Sequence, residues 1–407
     1  MVFGGALIMT PHSALELVDF WGKEFWSLNA FAMQMVFVLL AGHMLASTPL
    51  IQGLLGKMVK RVETERTALI LISLFSILTC FLNWGFGLIV SGIFAVELAK
   101  KLKKVNFGLF VATAYSGFLV WHGGLSGSIP LKISGHDEIL TKVFPNTSIP
   151  LTETIFSPLN LVIVISIFII FPILSLALKT DEKVEVHVAA SENSLSNHHE
   201  NNSVRDFLEN FKGFNLIFFL FFVLIIFSAL RKGESLDIAK VNGIFLCLSL
   251  LLHSSPRRFL KALQDSIGFT SGIIIQFPFY AGLMGLMQHS GLADQISLVF
   301  VNISNPQTLP LWTFLSGGLV NFFIPSGGGQ WVVQGPIMLK AAKTLQVDPG
   351  KISMALAWGD AWTNLIQPFW ALPLLALAKL QLKDIMGYCL VYTFVSGVII
   401  SAFFLWF

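Results

Sequence analysis

Asn83-Trp84-Gly85-Phe86-Gly87 interrupts the apolar run 67–101 at its centre, and Pro325-Ser326-Gly327-Gly328-Gly329-Gln330 interrupts the run 309–344 in the same way. Each arm beside a break is about 15 residues, and a helix of that length rises only ~22 Å. A hydrocarbon core of ~30 Å outreaches it. Irregular backbone at that depth is tolerated only where protein buries it or where it lines a watery cavity. The two stretches therefore predict re-entrant helical hairpins whose tips lie inside the membrane. Two short tilted spans joined by a surface turn are the alternative.

The composition around these hairpins is that of a polytopic membrane protein. Of 407 residues, 55% are hydrophobic and 12% charged, against roughly 25% charged in soluble domains. A water-soluble fold of this size could not cover its surface from that inventory. The net charge is only +3, and Lys and Arg stand in short clusters between apolar runs, which excludes a nucleic-acid-binding face. Apolar runs near 25–47, 107–130, 155–178, 213–230, 265–288, 351–379 and 384–406 are long enough to cross a bilayer, and 238–253 is a shorter eighth. Residues 1–24 form an N-terminal segment. Its apolar stub, Val2–Met9, lacks the marks of a signal peptide and reads as the end of a helix whose beginning is absent. The one extended polar stretch, 179–212, reads as a mobile cytoplasmic linker. His187, His198 and His199 within it are the only candidates for a metal site. Cys80, Cys247 and Cys389 each lie in an apolar run and read as small buried hydrophobes.

Laying the second half of the chain on the first shows a duplication. Met33-Gln34-Met35-Val36-Phe37 matches Ile275-Gln276-Phe277-Pro278-Phe279 at an offset of 242, Asn83 meets Asn321 at 238, and 114–130 meets 357–373 at 243. Each unit reads span, hairpin, interrupted span, span. Unit one is 25–178 with its hairpin at 67–101, and unit two is 265–407 with its hairpin at 309–344. Two inserted spans, 213–253, lie between them. Positive charge sets the topology. Connections 50–66, 98–106 and 179–212 carry four Lys or Arg each, 254–264 three and 379–383 two, so 17 fall on one side and nine on the other. The richer side is cytoplasmic, which makes the repeats inverted. The first hairpin then enters from the cytoplasm and the second from outside, the plan of secondary transporters that hold substrate near the midplane.

Helix breaks present backbone N–H groups of partial positive charge, which suit an anion without Lys or Arg. The candidate binding residues are therefore Asn83, Trp84 and Gly85 at the first tip, and Pro325, Ser326, Gly327, Gly328 and Gly329 at the second. In the interrupted spans they are Ser126, Gly127 and Ser128, with Asn364 as the counterpart. Close helix packing is the alternative role for these small residues. Gln34 and Gln276, at matching places, either bridge substrate or lock the repeats together. Asp360 is the one carboxylate well inside a predicted span, a costly position that marks a proton carrier or a sodium ligand unless it faces water near the span's outer end. His122, His43 and Asn321 join it as coupling candidates, with hydrogen-bonded packing as the alternative for the histidines. Trp84, Trp121, Trp331, Trp358, Trp362 and Trp370 gather near the breaks and are candidates to wall an apolar pocket.

Five ordered blocks carry a family resemblance. They are Asn-Trp-Gly-Phe-Gly-Leu from Asn83, Gln-Phe-Pro-Phe-Tyr-Ala-Gly from Gln276, Pro-Ser-Gly-Gly-Gly from Pro325, Gln-Pro-Phe-Trp-Ala-Leu-Pro from Gln367 and Asp-Ile-Met-Gly-Tyr-Cys from Asp384. From about residue 20 onward the chain resembles the AtoE-type short-chain fatty acid transporters of bacteria. The resemblance implies uptake of a short carboxylate anion, such as butyrate or acetoacetate, across the bacterial inner membrane, coupled to H+ or Na+ and without a cofactor. By wider analogy it implies an all-α inverted-repeat fold that pairs as a homodimer and moves substrate by an elevator-like shift. The chain departs from the family pattern in lacking a further N-terminal span and in its polar 179–212 linker. Two rival classes remain. Gly124-Leu125-Ser126-Gly127 matches the nucleophile pattern of intramembrane serine proteases, and broken helices also line passive anion channels.

Overall fold

The structure, a computed structural model, describes residues 2–135, 137–179, 184–185, 209–232, 238–253 and 255–407. Most of the polar 179–212 stretch, including His187, His198 and His199, lies outside the described residues. The described residues are almost entirely helical. Val2–Met9 (α1) and the amphipathic Ala14–Glu24 (α2), closed by a Ser13/Glu16 capping box, lead into Asn29–Ala46 (α3). After a 65° bend follows Pro49–Lys60 (α4). Glu65–Leu82 (α5) and Trp84–Leu102 (α6) form the first hairpin. Lys104–Val105 (β1) then leads to Phe107–Ser116 (α7), which tightens into a 3₁₀ turn at Gly117–Trp121. Residues 122–127 are irregular. Short helices Ser128–Ile133 (α8) and Glu138–Val143 (α9) come before the long Pro158–Ala177 (α10), and Val184–Glu185 (β2) pairs antiparallel with β1.

The inserted pair is Lys212–Arg231 (α11) and Ile238–Leu252 (α12). An amphipathic helix, Pro256–Ile267 (α13), precedes Ser271–His289 (α14) and Leu292–Asn302 (α15). The second hairpin is Leu309–Asn321 (α16) and Gly327–Thr344 (α17), the second interrupted span Pro349–Asn364 (α18) and Pro368–Ala378 (α19), and the chain closes with Lys383–Trp406 (α20). In each half a long helix, a short helix, a helix pair, a broken helix and a closing long helix follow in that order.

Glycine sets how closely these helices approach. A Cβ on Gly359 of α18 would overlap the Phe314 carbonyl and Gly317 of α16, so backbone meets backbone there. A Cβ on Gly42 of α3 would likewise overlap the Gly85–Phe86 backbone at the tip of the first hairpin. The main core runs through α3, α5–α7, α10, α18, α19 and α20. A satellite cluster joins Leu140 and Val143 of α9 to Trp331 and Leu339 of α17.

Three details differ from the sequence reading. The first break is Asn83 alone, and Trp84–Gly87 already form the first turn of α6. The second break is 322–326, and Gly327–Gln330 open α17. Both glycine runs read as turns in sequence, yet a helix's first turn has spare N–H donors and accepts glycine where another backbone must come near. The arms are also uneven. α5 has 18 residues and α16 has 13, and α5 is long and apolar enough to cross a membrane. Among the described residues, Pro158–Ala177 and Lys383–Trp406 also meet that measure, and the bent pair Ala32–Ala46 with Pro49–Lys60 makes a fourth. Within the two runs read as interrupted, 107–130 and 351–379, the helix breaks fall at 122–127 and 365–367.

Candidate functional site

Both hairpin tips are capped from within. Asn83 ends α5 and starts α6. Its Oδ1 accepts from Phe86 N at 2.9 Å, which satisfies one orphan donor of the new helix. Ser326 does the same for α17, its Oγ accepting from Gly329 N at 3.3 Å. The first tip is tied to the first broken span, because Trp84 N donates to Ser126 Oγ at 2.9 Å and Leu125 N to the Phe81 carbonyl at 2.7 Å.

The second tip meets both broken spans. Gly327 lies so close to unit one that a Cβ there would overlap His122 and Ser128. Ser128 Oγ and His122 Nε2 are 3.3 Å apart, and His122 Nε2 stands 3.8 Å from Asp360 Oδ1. His122 and Asp360 are both fully buried, so Asp360 does not face water at the end of its helix. Neither oxygen of Asp360 accepts a hydrogen bond among the described residues.

One turn along, oxygens gather around Asn321. Its Nδ2 lies 2.8 Å from the Asp360 carbonyl, 2.9 Å from Thr363 Oγ1 and 2.8 Å from Asn364 Oδ1. Three acceptors thus crowd a nitrogen with two hydrogens. Gln367 Nε2 donates to the Asn321 carbonyl at 2.7 Å, and Tyr115 OH reaches across from α7 to the Asn364 carbonyl at 2.6 Å. The side-chain oxygens of Asn321 and Gln367 are buried without a hydrogen-bond partner among the described residues.

A cavity of about 370 Å³ opens beside this network, lined by Gln276, Tyr280, Phe322, Pro325, Gln367, Pro368 and Leu372. Among the described residues, no Lys or Arg lines it. Two helices begin at its edge, α17 just after Pro325 and α19 at Pro368. Three of the five quoted blocks, those from Gln276, Pro325 and Gln367, meet on this one cavity.

Other expected residues lie apart. Gln34 lines a second, smaller cavity of about 220 Å³ with Asn242, whose Nδ2 donates to the Gln34 carbonyl at 3.0 Å. Gln34 and Gln276 match in sequence and line different cavities. His43 sits on α3, which packs chiefly on α6, α12, α13 and α14. Trp84, Trp121 and Trp370 pack on one another and on Phe118. Trp331 Nε1 donates to Asp137 at 3.2 Å, Trp358 Nε1 to Asn160 at 2.9 Å, and Trp362 Nε1 to the Thr393 carbonyl at 2.6 Å. Sequence reasoning missed Tyr115, Tyr280, Thr363 and Gln367. A proline following Gln367 was the one signal that its side chain stands at a helix start. Among the described residues, no three His, Cys, Asp or Glu side chains gather as a metal site.

A helical membrane protein whose broken helices meet around a sealed carboxyl and a cavity free of fixed charge is a membrane carrier in type. The chain belongs to the short-chain fatty acid transporter family, whose model matches residues 1–407. It is 37% identical over 410 residues to a protein of Escherichia coli (strain K12) named as a short-chain fatty acid transporter, covering 98% of this chain and 92% of that one. A like-named protein of Haemophilus influenzae is 35% identical over 401 residues, covering 94% and 88%. Among solved structures the chain is similar to MtrF of Neisseria gonorrhoeae, described with a class of antimetabolite efflux pumps, at a TM-score of 0.52 and 14% identity over 96% of this chain and 83% of that one. That likeness concerns the fold. The family is one of transporters and not of enzymes, and the Ser126 hydroxyl is engaged by the Trp84 backbone.

Proposed function

We propose that the chain is a secondary active transporter for short monocarboxylates such as butyrate or acetoacetate, driven by a proton or sodium gradient across the bacterial inner membrane and working as a homodimer. The two units are inverted repeats in this reading, with the first hairpin entering from the cytoplasm and the second from outside. The observation that carries it is the start of α17 and α19 at the edge of one cavity that, among the described residues, no Lys or Arg lines. Helix N-termini hold a carboxylate by backbone N–H groups and the helix dipole, and the apolar walls Phe322 and Leu372 receive its tail.

Coupling belongs to the neighbouring cluster. Asp360 with His122 suits a proton, whereas the oxygens gathered at Asn321 suit sodium. Uptake of labelled butyrate into proteoliposomes, driven separately by a pH gradient and by a sodium gradient, tests the proposal. Accumulation above the outside concentration under one gradient is the expected result. Equilibration without accumulation under either would make the protein a passive channel.

A further inference from the structure

Gly272 lies on α14 one turn before Gln276, and its missing side chain has no packing reason. A Cβ at Gly282 or Gly285 of the same helix would overlap Trp21 or Glu24, so those glycines are required by the close approach of α2. A Cβ at Gly272 would instead lie 3.8 Å from Gln276 Nε2 and 3.9 Å from Leu372 Cδ1, at ordinary contact distance. Gly272 therefore leaves room between two residues that both line the 370 Å³ cavity.

The cavity is graded from one end to the other. Gln367 and Pro368 stand at the helix break, where the backbone donors are. Leu372 stands one turn further along α19, about 5–6 Å away at the helical rise. Leu372 lines the cavity with its apolar side chain. The space spared at Gly272 adjoins this apolar end. A carboxylate held at the break would point its alkyl chain toward Leu372 and Gly272.

We infer that Gly272 and Leu372 set the chain-length limit of the transported acid, with Gly272 supplying the volume for the last carbons and Leu372 their apolar wall. The inference rests on the carboxylate being held in this cavity. In an apolar pocket one methylene gained or lost shifts discrimination by roughly 10- to 200-fold. Gly272→Ala adds one carbon and Gly272→Val three, and Leu372→Ala removes three.

The test is competition of unlabelled acetate, butyrate, hexanoate and octanoate against labelled butyrate uptake in proteoliposomes. Gly272→Val, the milder Gly272→Ala, Leu372→Ala and Gln367→Ala are compared with the unaltered chain. Gly272→Val should lower the potency of hexanoate relative to acetate by about tenfold or more, with Gly272→Ala between it and the unaltered chain. Leu372→Ala should shift preference toward longer acids, and Gln367→Ala should weaken all four acids together. A purely structural role for Gly272 would instead lower the melting temperature and move every acid equally. If Gln367→Ala weakens all four acids while the 272 and 372 variants keep the unaltered ratios, the chain-length inference is overturned and the cavity stands. If none of the variants changes any potency, the carboxylate is held elsewhere and both fail.

Discussion

Asp360 combines full burial with two oxygens that accept no hydrogen bond among the described residues. An ionised carboxylate removed from water costs several kcal/mol, and a partner 3.8 Å away without a hydrogen bond repays little of it. Whenever the site is closed, the group therefore needs a cation or a proton for company. Exchanging it for an amide removes that need. Asp360→Asn should abolish gradient-driven accumulation of butyrate while leaving exchange of butyrate for butyrate intact, as measured by counterflow. Accumulation at the unaltered level would sink the role given to Asp360. Gly327 is constrained for a different reason, because any side chain there meets His122 and Ser128. Gly327→Ala should lower the melting temperature in detergent, by an amount worth about 1–3 kcal/mol of overpacking, and should slow uptake. His122→Ala combined with Gly327→Ala should recover part of the lost stability, since it removes one of the two groups in the way. No recovery in the double variant would mean that the ring is not the obstacle.

At the scale of the elements, a buried hairpin tip is stable only if its backbone donors find partners. Asn83 provides one by capping α6 while buried to 1% exposure. Asn83→Ala should cost about 0.5–2 kcal/mol, read as a lower melting temperature, whereas Asn83→Ser, which keeps an acceptor, should restore most of it. Equal losses in both variants would show that the amide is needed for something other than the cap. The helices and the neighbourhood of their breaks were legible because hydropathy and break residues are local signals. The exact turns were not, since glycine marks a close approach as readily as a turn. Gly327 and Gly85 are first-turn residues pressed against another backbone or a ring, not loop residues. The network around Asn321 left less trace. Tyr115 reaches Asn364 across 249 residues, and no periodicity predicts such a pairing. Gln34 and Gln276, matched in sequence, have unlike surroundings, because α3 is packed on the first tip through Gly42 while α14 leaves a cavity at the second.

That inequality is a property of the whole molecule. Two units built in one order, one closed at its hairpin tip and the other gapped, describe a carrier caught facing one way if the units are inverted. Charge counting puts the base of the first hairpin in the cytoplasm and that of the second outside, so the gap at the second tip should open outward. Glu63 and Gln307 stand exposed at the two hairpin bases, and the described free cysteines, Cys80, Cys247 and Cys389, are all buried. In right-side-out vesicles, a membrane-impermeant maleimide should label Gln307→Cys at once and Glu63→Cys only after the membrane is permeabilised. Phe322→Cys, at the cavity wall, should react from outside and be protected by butyrate. Labelling of both bases from the same side would end the inverted reading, because a hairpin that returns to its own side cannot change sides by moving. Reaction at position 322 unaffected by butyrate would separate the outward gap from the carboxylate site, leaving the topology intact and the placement of the substrate wrong.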